Sequence, residues 1–363
     1  MSLTHEIKAE AQRLGFALAG ITSPEAPPHW PVFENWLAQG RHAGMAYLAD
    51  ERARARRREP RQILPGCKSI LVLAARYPDP GNTGAFEAAE APADDGPHGR
   101  VAAYAWGTDY HLVLPERMKA LAAFIEARLG HAVAHREYTD TGPLLERDLA
   151  QQAGLGWIGR NTCLINPRMG SYFFLAEMLL DLELDQDAPF QDDRCGTCTR
   201  CIDACPTRCI LPDRTLDAGR CISYLTIELK ESIPVELRSS IGSWVFGCDV
   251  CQQVCPWNRF TDGRVDPAFG PRPGVPAPAL VPEIALTPDA FNRKFKDSPV
   301  QRTRRQGYQR NLAVALGNAG DPASVPALAR AAGDPQPLVN ECAAWALEKI
   351  TGSRSAGSSI PGV

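Results

Sequence analysis

Apolar residues at positions 3, 7, 11 and 14 recur at the spacing of one helix face, and Gly15 suits the end of a helix, so the pattern predicts a first helix over 3–15. Residues 68–75 read KSILVLAA after a Pro-Gly turn, a short unbroken apolar run that fits a buried strand. Weaker strand patterns cover 101–105, 132–138, 162–166 and 172–180. Helical patterns lie between them at 115–129, with Pro115 at a tolerated first-turn position, and at 144–153. Strands alternating with helices over the first 185 residues imply an α/β or α+β domain with a layered core.

Periodicity stops at two places. Residues 79–99 are rich in Gly, Pro, Ala and acids and predict a surface loop, a candidate lid. Residues 264–282 hold six prolines, which favours an extended spacer. Beyond it, 308–317 and 340–350 are Ala/Leu-rich helices, and the turn sequence AGDP occurs twice, at 319 and 332, so this end predicts a short HEAT-like helical repeat. The expected plan is α+β overall: a domain over 1–185, a cysteine-rich module over 186–263, a Pro-rich connecting segment over 264–300, the repeat over 301–351 and a flexible tail over 352–363.

Composition changes this picture little. Lys plus Arg (39) against Asp plus Glu (42) excludes a chain that coats nucleic acid or membrane by bulk charge. The charged, amphipathic N-terminus has neither the apolar stretch nor the twin arginine of an export signal, and no apolar run approaches the roughly 18 residues of a membrane span, so a cytoplasmic chain is expected.

Cysteine changes it a great deal. Of 12 cysteines, nine lie between Cys195 and Cys255. A cytoplasmic chain keeps thiols reduced, which leaves metal ligation or redox catalysis. Cys195, Cys198, Cys201 and Cys205 followed by Pro206 form the C-x2-C-x2-C-x3-C-P run of two-cluster ferredoxins, in which three thiolates hold one [4Fe-4S] cube and the fourth reaches the other. Zinc ribbons use two separated pairs, so the triple run with its Cys-Pro end favours iron–sulfur. A second run, Cys248, Cys251 and Cys255 before Pro256, lacks a cysteine where Val245 stands. By the crossover rule, cluster 1 takes Cys195, Cys198, Cys201 and Cys255, and cluster 2 takes Cys205, Cys248, Cys251 and one more. Cys221 is the candidate, with Cys209 as competitor, while Cys67, Cys163 and Cys342 sit among apolar neighbours as core residues.

No GxGxxG, P-loop, nucleophile elbow or HExxH motif is present. Taken together, YTDTGPLLERDLAQQAGLGWIGRNTCLINPRMGSYFFLAEML at 138–179, the order CGTCTRCIDACP, RCISYL, GCDVCQQVCPWN, and RNLAVALGN near the C-terminus closely resemble the epoxyqueuosine reductases. The resemblance covers nearly the whole chain. It implies cobalamin held between the N-terminal domain and the two-cluster module, and reduction of epoxyqueuosine to queuosine at the wobble position of tRNA, the last step of queuosine synthesis.

The same resemblance implies Asp140 as proton donor, which calls for a raised pKa, and Arg57, Arg160, Asn161 and Ser223 as cofactor neighbours. Trp106, Gly107 and Tyr110 look like pocket lining. Seven basic residues against one acid over 293–310 form a local patch in an acidic protein, and Arg302, Arg304, Arg305 and Arg310 are its candidate tRNA contacts. A monomer fed by a low-potential flavodoxin- or ferredoxin-type donor completes the expectation. The rival readings are a cobalamin-dependent reductive dehalogenase, which lacks the repeat and any use for an arginine patch, and an electron-transfer protein with no substrate.

Overall fold

The computed structural model describes residues 2–83, 96–261 and 263–357, without the side chains of 82–83, Phe260 and 353–357. Its centre is a four-stranded, wholly antiparallel sheet in the order Leu18–Thr22, Ser69–Arg76, Phe173–Leu180, His135–Tyr138. Of the two arrangements that alternation leaves open for this domain, the sheet is the α+β one. Ser69–Arg76 is buried on both faces: Leu71, Leu73 and Ala75 enter one apolar core, Ile70, Val72 and Ala74 another. The first core lies under the helices Leu3–Arg13 and Tyr110–Leu129, the second under Glu146–Gln152.

Several elements start or stop elsewhere than the pattern predicts. Pro115 lies inside a helix that begins at Tyr110, because Asp109 caps that end by accepting the His111 N–H at 3.0 Å. Residues 101–105 split into a two-residue strand, Arg100–Val101, and the 3-10 turn Ala103–Ala105. The pattern at 162–166 yields only Leu164–Ile165, paired with Trp157–Ile158. Most of the predicted surface loop, 84–95, lies outside the described residues, as do 358–363 of the tail, while the last helix, Pro337–Gly357, continues past Gly352.

The Pro-rich stretch is extended but is no free spacer. Prolines lack N–H groups yet keep their carbonyls, and Pro276 and Pro278 accept from Val101 and Gly99 at 3.1 and 2.8 Å. The strap passes so close over Gly107 that a Cβ there would stand 2.5 Å from the Phe269 backbone. At the C-terminal end a short helix, Val325–Ala331, sits between the two expected ones, and Arg304–Ala319 packs on the last helix with Gly317 against Ala346. One apolar core runs from Ile7 through Leu225 and Phe246 to Ile350, across the boundaries expected after residues 185, 263 and 300. Among the described residues no helix is long and apolar enough to cross a membrane.

Candidate active site

Asp140 sits on a tight turn at the end of the edge strand His135–Tyr138, where Thr141 N–H bonds the Thr139 carbonyl. Its φ of +60° places it in the left-handed region, which asparagine and aspartate tolerate better than most residues. Three groups converge on one carboxyl oxygen, Oδ2: the Tyr110 hydroxyl donates at 3.0 Å, Arg302 Nη1 donates at 3.0 Å, and His111 Nε2 stands at 3.6 Å. Burial pushes the Asp140 pKa up, but His111, Arg302 and Tyr110 outweigh it, and the carboxyl ends well below the usual carboxylate range. The raised pKa expected of a donor is therefore not present in the ligand-free site, because a guanidinium and an imidazole face the carboxylate. Burial lowers the His111 pKa, yet Asp109 and Asp140 raise it to about 9, so at neutral pH the site's proton rides on the imidazole.

Neither His111 nor Arg302 is in the sequence-derived catalytic set. His111 lies beside Tyr110 in WGTDYH, and Arg302 reads as a tRNA contact until the fold swings it across 162 residues onto Asp140. Its Nε also meets Glu228 at 2.8 Å. Around these groups lies a cavity of about 740 Å³ bordered by Tyr104, Tyr110, His111, Thr139 and Arg302, in the size range of small-molecule sites, roughly 300–1,000 Å³. Trp106, by contrast, is wholly buried and bonds the Val101 carbonyl, so of the three expected lining residues only Tyr110 serves the cleft.

Arg57 ends the helix Glu51–Arg58, 6% exposed, with its guanidinium 5.6 Å over the Phe33 ring and buried Nη1 without a hydrogen-bond partner. An unsatisfied buried donor of this kind fits the amide oxygens at the rim of a corrin. Arg160 supplies a second such atom, Nε, while its Nη2 bonds the Gly196 carbonyl at 2.8 Å. Asn161 is tied to protein at both ends, accepting from Cys163 N–H and donating to the Cys251 carbonyl. Trp157 in the same segment points its indole N–H at Cys195 Sγ, 3.5 Å away. The GWIGRN stretch thus braces both cysteine loops. Ser223 is half-buried, two residues beyond Cys221, and its N–H lowers the Cys221 pKa.

The cysteines gather in two groups. Cys201 lies near Cys195 and Cys198, and Cys255 lies near Cys195 and Cys201. Cys248 lies near Cys221 and Cys205, and Cys251 lies near Cys248 and Cys221. Each proline closes a short helix, Arg200–Ala204 or Val250–Gln253, and the cysteine before it takes the extended backbone a following proline imposes. Cys209 stands 3.4 Å from Cys205 and also meets Cys221, so it adjoins the second group. Cys67 and Cys342 are core residues as expected, but Cys163 is not: its thiol meets Cys251, because the turn after Trp157 carries it to the second group. Among the described residues no three side chains are close enough to grip a single metal ion. The thiolates of a cube stand further apart than that.

The basic patch divides. Arg304 is exposed, and Arg305 is held by the Leu286 carbonyl and Asp334. Arg310 is wholly buried and donates to the carbonyls of Leu225, Leu229 and Glu231 at 2.6, 2.8 and 2.7 Å, so it cannot reach a phosphate and is removed from the tRNA contacts. Its helix faces the cysteine module, whose unpaired carbonyls need a donor. Arg310→Met is expected to lower stability by about 3 kcal/mol in denaturant unfolding, and Arg304→Ala by no more than about 0.5.

Thiols grouped for electron transfer beneath a carboxylate set for proton transfer place the chain among the iron–sulfur oxidoreductases. It belongs to the epoxyqueuosine reductase family. Over 357 residues it is 38% identical to the epoxyqueuosine reductase of Escherichia coli, covering 98% of this chain and 91% of that one. With the Pseudomonas aeruginosa enzyme it shares 39% over 350 residues, 96% and 94% of the two chains. Family models match at 57–141 (epoxyqueuosine reductase QueG, DUF1730), 194–258 (4Fe-4S double cluster binding domain) and 301–358 (HEAT repeats). An epoxyqueuosine reductase solved with a tRNA-Tyr epoxyqueuosine-modified stem loop superposes with a TM-score of 0.87 at 32% identity, over 96% of this chain and 90% of that one. The Bacillus subtilis enzyme, solved with its catalytic aspartate loop swung out of the active site, matches at 0.84, with the same identity and coverage. The cofactors are two [4Fe-4S] clusters and the cobalamin on which this family depends.

Proposed function

We propose that this chain reduces epoxyqueuosine to queuosine at the wobble position of tRNA, with Asp140 delivering a proton to the departing oxygen. Loss of the epoxide oxygen as water takes two electrons and two protons. The clusters pass the electrons singly, cluster 1 on Cys195, Cys198, Cys201 and Cys255 and cluster 2 on Cys205, Cys221, Cys248 and Cys251. Cobalamin, when bound, supplies the reducing metal centre for carbon–oxygen cleavage, and Arg57, Arg160 and Ser223 border its place. Asn161 keeps the cluster loop beside it. His111 holds the site's proton at Nε2, 3.6 Å from Asp140 Oδ2, and Arg302 and Tyr110 orient the acceptor.

The observation that carries this reading is the convergence of Tyr110, His111 and Arg302 on Asp140 at the mouth of a nucleoside-sized cavity, in a chain of this family. The Bacillus subtilis relative supports a turn that carries Asp140 in and out of the cleft. The protein works in the cytoplasm, where tRNA is, as a monomer fed by a low-potential flavodoxin- or ferredoxin-type donor. Incubating the reconstituted holoprotein with a reductant and epoxyqueuosine-containing tRNA, then weighing the nucleosides, tests the whole reading: queuosine is expected, and unchanged epoxyqueuosine would overturn it.

Exposed Arg304, with Arg293 and Lys296 beside it in the patch, faces the phosphate backbone in this reading. Replacing all three by Ala is expected to flatten the salt dependence of tRNA binding by about one unit of slope per lost contact, equally for every substrate tRNA, since phosphate contacts carry no sequence information. Filter binding over a salt series reads it directly.

A further inference from the structure

Beneath the Asp140 turn lie two glutamates that the reaction as described does not use. Glu177 stands on the central strand Phe173–Leu180, opposite Val72 on one side and Tyr138 on the other. Its side chain shares a face with Phe173 and Leu179, inside the apolar core under the helix Glu146–Gln152. It is fully enclosed, and neither carboxyl oxygen has a hydrogen-bond donor. The polar group that meets it is the Glu146 carboxyl. Glu146 in turn accepts the Asp140 backbone N–H through Oε1 at 2.6 Å.

This chain of contacts has one missing part. Two ionised carboxylates have no hydrogen to give each other and repel in a dry pocket, whereas one proton between them turns the repulsion into a hydrogen bond. Among the described residues the facing charges offset this only in part: Arg147 lowers the Glu146 pKa but donates Nη1 to the Thr162 carbonyl, Arg57 attracts Glu146, Asp140 adds negative charge, and Asp148 is turned away onto His29. The Glu146 bond also fixes the Asp140 backbone, which lies in the sparsely populated left-handed region at the tip of the turn.

We propose that Glu146 and Glu177 share a single proton and act together as the positioning pair that holds Asp140 in the cleft, so that loss of that proton releases the turn. The proposal rests on Asp140 being the reacting acid. Burial raises both carboxyls and the Asp140 charge adds to it; Glu146 pushes Glu177 further, well above the carboxylate range, while the contact with Glu177 and the charge of Arg147 hold Glu146 to about 7. The pair therefore still holds one proton after Glu146 has titrated, and, both pKa values being raised in the folded state, the contact is lost only as pH climbs through the upper titration of the pair, the one carried by Glu177.

The test uses the full chain with its clusters. Infrared titration should show a buried protonated carboxyl at neutral pH that disappears in both Glu177→Gln and Glu146→Gln and survives in Asp140→Asn. Hydrogen exchange of the 139–145 peptide, corrected for intrinsic rates, should quicken about tenfold per pH unit above the pair's titration in the wild type. In Glu177→Gln it should be independent of pH, because an amide donates to Glu146 and never ionises. A carboxyl band that outlasts both substitutions, or exchange with the same pH dependence in wild type and Glu177→Gln, overturns the shared proton. Full turnover by Asp140→Asn, with band and exchange behaving as stated, would instead remove Asp140 as the acid and leave the positioning pair standing.

Discussion

Asp140→Asn will cut turnover at least about a hundredfold while both clusters and cobalamin stay bound, the usual loss when a positioned acid is removed. Asparagine accepts the φ of +60° at this turn, and its carbonyl oxygen still takes the Tyr110 and Arg302 hydrogen bonds, so the fold has no reason to change. What it lacks is a carboxyl that can take the His111 proton and pass it on. The measurement is queuosine formed per minute beside the visible spectrum of the bound cofactors. A variant that keeps most of its rate would reduce Asp140 to a turn residue that places Thr139 and Thr141.

The second large effect concerns the eighth thiolate. Cys221→Ala is expected to halve the iron of the anaerobically purified protein, from about eight to about four per chain, whereas Cys209→Ala keeps about eight. Cys221 and Cys205 are the thiols that act on Cys248, and Cys221 also acts on Cys251. Cys209, 4% exposed, lies against Cys205 and Cys221 and is not among the main neighbours of Cys248 or Cys251. Iron and sulfide analysis of the two variants decides it, and the reverse result would exchange the two cysteines.

The two-cluster module was legible because its spacing is itself the chemistry: a loop that wraps a cube presents thiolates with two residues between them. The four-stranded sheet was half legible. Its buried strand announces itself in KSILVLAA, but the antiparallel order depends on pairings between residues such as Ser69 and Leu180, which no local pattern encodes. The family resemblance reached Asp140, yet not its protonation state, since that depends on Arg302 arriving from a segment that reads locally as a phosphate patch. Arg310 was misread for the same reason. An arginine in a basic run looks solvated until three backbone carbonyls from residues 225–231 enclose it. Glu177 was invisible, one acid in an otherwise apolar strand, and only burial marks it out.

The helix Arg304–Ala319 has a bearing on how the protein is made. Asn311 donates from Nδ2 to the carbonyls of Thr226 and Val245, both at 2.8 Å, and Arg310 holds the neighbouring loop, so the wall behind the second group of thiols is built from chain that follows it by some 60 residues or more. A ribosome releases Cys205, Cys221, Cys248 and Cys251 well before that wall exists. Until residue 311 has emerged and docked, these cysteines have the Asn161 side to lean on but no wall behind them, and are more open to oxygen and to stray metals. Lasting enclosure of the second cube therefore belongs to the finished polypeptide, and a nascent chain stalled short of this helix is left with thiols it cannot shelter.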